Sequence, residues 1–136
     1  MSFEIFLQRF RNGNTANFPR KYIEVAFEKN ILTREPDFCC ISLIYSNDYG
    51  GEIYVSNNEQ IDGFSVNRPG KNPAFWSSIY EIMCKAELVL YWPGDSSMVV
   101  TEATLSEHIP PDMLTTLGPP TLVNSGAEII EKIERL

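Results

Sequence analysis

The sequence predicts an α+β fold: a mostly antiparallel sheet of about five strands, two main helices on one face, and a C-terminal helix. Three observations carry that prediction. Short runs of branched and aromatic residues, such as 38–45, 52–56 and 88–92, are separated by clusters of Gly, Asn, Asp and Pro. Two segments, 19–29 and 73–86, repeat apolar residues every three or four positions, the period of a helix with one buried face. The length of 136 residues, 43% hydrophobic and 12% aromatic, suits one domain, 1–136, and excludes a disordered or coiled-coil chain.

Each element follows from local chemistry. Residues 3–10 alternate as a strand, with Phe3, Ile5 and Leu7 on one face and Phe6 and Gln8 on the other. Asn12-Gly13 turns the chain, and Pro19 opens a helix whose inner face is Tyr22, Ile23, Ala26 and Phe27. Asn30 and Pro36 mark a loop after it. The apolar run 38–45 reads as a central strand buried on both sides. Residues 46–51, ending in Gly50-Gly51, read as a hairpin turn into a strand at 52–56, and 61–66 reads as a shorter strand weakened by Gly63.

Asn72 caps and Pro73 opens the second helix, which runs to Ala86 with Phe75, Trp76, Ile79, Ile82, Met83 and Ala86 inward. Residues 88–92 form a strand ended by Pro93-Gly94-Asp95, with 97–101 as its hairpin mate. A short helix is expected over 102–111, one further turn over 112–117, and extended chain over 121–123. Ser125 and Glu128 form a capping box for a last helix with Ile129, Ile130, Ile133 and Leu136 inward. The order strand, helix, hairpin, helix, strand suits a split β-α-β core.

The charge is −7 and unevenly placed: residues 37–136 hold fourteen acidic and five basic residues. Nucleic-acid binding rests on Lys and Arg neutralising phosphate, so no nucleic-acid partner is expected. The same acidity disfavours anionic membranes, and no apolar stretch is long enough to span one, so no membrane association is expected. Residues 1–5 lack the basic and apolar regions of a secretory signal, and the chain is expected to be cytoplasmic. Cys39, Cys40 and Cys84 show no metal-ligand spacing and are expected to be free buried thiols.

The usual catalytic and phosphate-binding motifs are missing, so no catalytic residue, metal or cofactor is assigned, and the chain leans away from being an enzyme. Asp48, Glu52, Glu59 and Asp62 cluster around the first hairpin and, with Tyr49 as an aromatic anchor, form the candidate protein-binding surface. Charges on a hairpin edge also serve simply to block unwanted strand pairing. Trp92, Asp95 and the single histidine, His108, form a candidate pocket where their loops converge. Arg9 and Arg11 flank the first turn, where they hold an anion or balance nearby carboxylates.

The opening Ser2-Phe3-Glu4-Ile5-Phe6-Leu7-Gln8, the Phe75-Trp76 helix, Tyr91-Trp92-Pro93-Gly94, Pro110-Pro111-Asp112 and Gly118-Pro119-Pro120 resemble a group of small uncharacterised bacterial proteins over the whole length. That resemblance implies a single domain and carries no activity with it. In size and charge the chain is similar to immunity proteins of bacterial toxin systems. The expected function is therefore a non-enzymatic bacterial binding protein, immunity-like, whose acidic surface meets a basic protein partner. The alternatives are a small enzyme or ligand-binding domain using the pocket near His108, and a structural homodimer joined through an open sheet edge.

Overall fold

Alternation in the first strand sets the architecture. In β1 (Glu4–Arg11), Ile5 and Leu7 are buried while Glu4, Phe6 and Gln8 turn to the opposite face. The computed structural model describes residues 3–46 and 48–133, without the side chains of Asp48 and Tyr49. After β1 come β2 (Asn14–Thr15), β3 (Phe18–Pro19), α1 (Lys21–Phe27), β4 (Ile31–Glu35), β5 (Cys40–Tyr45) and β6 (Asp48–Tyr54). Then follow β7 (Gln60–Ile61), β8 (Gly63–Asn67), α2 (Pro73–Ala86), β9 (Leu88–Tyr91) and β10 (Met98–Val100). A 3-10 helix at Ala103–His108, α3 (Pro111–Leu117), β11 (Thr121–Leu122) and α4 (Gly126–Lys132) complete the described chain.

The main sheet has nine strands, in the order β11-β10-β9-β1-β8-β6-β5-β4, with β2 folded back on the end of β1. All its pairs are antiparallel except β10 with β11. A separate two-stranded pair joins β3 and β7. Because β1 is antiparallel to both β8 and β9, those two are parallel to each other across it, and α2 connects them. This is the expected split β-α-β core.

The expectation of about five strands is corrected to nine in this sheet. The extra strands are two-residue pieces too short to show a period, and β4, whose Thr33-Arg34-Glu35 is polar because the strand lies at the sheet edge. Residues 38–45 are corrected as well. Phe38 is 71% exposed in a 3-10 turn, and β5 is next to the edge, with Ile41, Leu43 and Tyr45 buried on one face and Cys40 alone buried on the other. The hairpin turns earlier than expected, since Tyr45 pairs with Asp48, and Gly50-Gly51 lie inside β6. Glycine is needed at Gly51, where φ is +92 and a Cβ would meet the Asn67 carbonyl oxygen at 3.0 Å.

One face of the sheet carries the two main helices expected, α1 and α2, and the C-terminal helix α4 packs there with them. They bury Phe27, Phe75, Trp76, Ile79 and Ile129 against Ile5, Leu43, Ile53, Val66, Leu90 and Val99. The other face is covered only over β9, β10 and the end of β1. There the 3-10 helix and α3 close a second core of Phe10, Val89, Met98, Val100, Leu105 and Ile109. Of the three cysteines, Cys40 is buried, Cys39 is half-buried, and Cys84 is exposed on α2, contrary to the expectation for all three. Among the described residues no helix is long and apolar enough to cross a membrane.

Candidate functional site

Covering only half of one face leaves the rest of it open, and strand register dictates what stands there. Directly paired residues share a face, so Tyr91, Phe6, Ser65, Tyr54, Cys40 and Glu35 run in one row across five strand boundaries. Beside it runs a second row, Glu4, Asn67, Glu52, Ser42 and Thr33. The open face thus combines aromatic rings, small polar groups and carboxylates.

Local contacts hold the face in place. The Phe6 and Tyr91 rings stack at 5.3 Å with 21° between their planes. The Tyr91 hydroxyl donates to Gln8 Oε1 at 3.1 Å, and the Tyr54 hydroxyl donates to Glu52 Oε2 at 3.3 Å. Glu52 also pairs with Arg68. The field is negative. Burial and then Asp62 push the Tyr91 phenol up. Burial and then Glu52 do the same to Tyr54. Burial, Glu52 and Glu35 raise the Cys40 thiol.

Two depressions meet at the Phe6–Tyr91 pair. One, of about 340 Å³, lies under α3 and is lined by Trp92, Pro93, Asp112, Met113, Thr116 and Leu117 together with the two rings. The other, of about 270 Å³, adds Gln8, Tyr54, Asp62 and Ser65. A larger hollow of about 500 Å³ lies among Pro19, Arg20, Lys21, Glu24, Asn57, Glu59 and Gln60. Its central cation is already committed, since Arg20 donates to the Ser56 carbonyl and pairs with Glu24. Lys21 and Glu59, exposed in the same hollow, form no ion pair among the described residues and bring one charge of each sign.

The candidate surface read from the first hairpin is divided by the fold. Glu52 and Asp62 both border the open face but stand apart: Glu52 pairs with Asn67 at the end of β8, whereas Asp62 precedes its first residue. Glu59 is separated from them, in the hollow beside Arg20 and Lys21. Asp48 and Tyr49 pair with Tyr45 and Ile44 at the hairpin end, and their side chains lie outside the described residues. Of the candidate pocket, Trp92 lines the depression under α3 but is 6% exposed, more buried than its place at a strand end suggests. Asp95 stands exposed between β9 and β10. His108 is engaged elsewhere: its Nδ1 accepts from the Asn12 amide at 3.1 Å, and its carbonyl accepts from Gly13. Arg9 and Arg11 both reach Glu87, so they balance a carboxylate.

Sequence reading missed Gln8, Ser65 and Met113 as site residues. The alternation that put Phe6 and Gln8 opposite Ile5 and Leu7 was the available signal. Among the described residues no group of three or more His, Cys, Asp or Glu is arranged to hold a metal ion. No known protein family, curated protein or solved structure matches the chain.

Proposed function

We propose that this chain is a non-enzymatic binding protein, immunity-like, that presents the uncovered half of its sheet to a basic protein partner. The observation that carries the reading is the composition of that face: Glu4, Glu35, Glu52 and Asp62 surround Phe6, Tyr54 and Tyr91. Rigid aromatics supply contact area at little entropic cost, and carboxylates around them favour a partner of opposite charge and speed its approach. A face serving only to shield a core would be closed by apolar cover, as the other half is by Met113, Leu114 and Leu117.

The test uses the tagged full chain to capture its partner from host lysate at low and high salt. A double charge reversal, Glu52→Arg with Asp62→Lys, is compared with a reversal at Glu81 and Glu131, exposed residues of the helical layer. The expected result is a stoichiometric basic protein, lost at high salt and with the first variant but kept with the second. Equal capture by both variants, each with the parent's melting temperature, overturns the reading.

A further inference from the structure

We propose that the two depressions flanking Phe6 and Tyr91 form one site for an elongated organic cation, an ammonium or guanidinium on an apolar stem, supplied by a lysine or arginine side chain of the partner. The inference rests on the open face being the recognition surface and names what that surface grips.

Asp62 is the first element. Most carboxylates with a nearby cation are already paired: Glu24 with Arg20 and Arg34, Glu52 with Arg68, and Glu87 with Arg9 and Arg11. Asp62 has no ion-pair partner among the described residues, although it lines a depression with Gln8, Tyr54 and Ser65. It shares that depression with the Tyr91 ring, whose phenol is raised by burial and then by the Asp62 charge. A cation placed there meets an unspent carboxylate and two phenol rings, whose faces attract positive charge.

The second element is the stem's path. From Asp62 the surface continues over the stacked Phe6 and Tyr91 rings into the depression under α3, where Pro93, Met113 and Leu117 provide apolar walls. Long basic side chains lay their methylene stems along apolar surface while the charged head stays at a polar rim. Neither depression is lined by Lys or Arg, so an anion of the same shape would meet only repulsion. A neutral alcohol would fill the apolar half and gain nothing from Asp62.

The test titrates the full chain at pH 7 with n-hexylamine, n-hexanol and n-hexanoate, reading the Met113 methyl and the Phe6 and Tyr91 ring signals by NMR. Hexylamine is expected to saturate and to bind about five-fold tighter than hexanol, with hexanoate weakest. Asp62→Asn should remove most of the amine's advantage over the alcohol without shifting the melting temperature, and Asp62→Asn with Asp112→Asn should bring the two level, since Asp112 lines the other depression. Met113→Ser should shrink the advantage of hexylamine over butylamine. Amine no tighter than alcohol, or amine binding indifferent to Asp62→Asn, overturns the site. If that happens while partner capture still responds to the Glu52 and Asp62 reversal, only the cation site falls. If amine discrimination survives while capture ignores the reversal, the cation site remains and the partner as its source falls.

Discussion

Tyr45 shows how one atom sets a pH dependence. Its hydroxyl is buried without a hydrogen bond of normal geometry among the described residues, Ser78 offsetting only part of that burial, while its ring packs edge-on against Phe75 at 5.9 Å. Burial raises the phenol above its ordinary value of 10.0, so the folded chain holds this proton more tightly than the unfolded chain does. The sign follows from linkage: the contribution is complete below pH 10.0 and is lost as pH climbs through the raised folded value. Tyr45→Phe removes an unsatisfied buried hydroxyl, so it should leave stability unchanged or raise it by ~1 kcal/mol at neutral pH. It should also flatten the alkaline decline, leaving a residue from Tyr91, whose phenol is raised in the same direction. Urea denaturation at pH 7 and in the alkaline range checks both. A loss above ~2 kcal/mol at neutral pH would show that the hydroxyl has a partner after all.

At the scale of elements, the helical layer depends on one close approach. Gly126 opens α4 against the backbone of α2, and a Cβ there would stand 2.6 Å from the Trp76 carbonyl carbon and oxygen. Neither atom can yield without moving its helix. Gly126→Ala is therefore expected to push α4 from α2 and cost ~2–3 kcal/mol in chemical denaturation, a cost typical of overpacking. Wild-type stability would mean that the helices separate freely. The start of α2 is secured differently: Asn72 Oδ1 accepts from the Ala74 amide at 2.9 Å, and Trp76 Nε1 donates to the Gly70 carbonyl at 2.8 Å. These bonds tie the end of the loop before α2 to the helix's first turns.

At the scale of the whole molecule, the open edge at β4 bears on self-association. The strand is blunted by a register shift between Ile31 and Thr33 and by Pro36 after its last residue. Arg34 is drawn from the edge to Glu24 on α1, at 2.9 Å and 3.2 Å. Leu32 nevertheless stays 52% exposed. The expected outcome is a 15.5 kDa species in sedimentation at tens of micromolar, because an irregular edge offers poor pairing. A dimer dispersed by Leu32→Lys would instead identify β4 as an interface and favour the homodimeric alternative.

The sequence by itself determined what local chemistry determines. The second helix occupies Pro73–Ala86 with the cap and all six inward residues expected, because helical period, cap and proline act within one segment. The capping box at the last helix holds with one change: Ser125 Oγ accepts from the Glu128 amide, while Glu128 Oε2 reaches the Asn124 amide. Alternation likewise placed Phe6 and Gln8 on the face away from the helices. Tertiary structure alone decided that this face is bare over β8, β6 and β5, that Asp62 stands beside Tyr91, and that Glu59 is parted from both. Those facts depend on pairings between residues far apart in the chain, and on where α3 and the 3-10 helix stop covering the sheet. A period along one strand says which residues share a face; only the partners across the sheet say what that face meets.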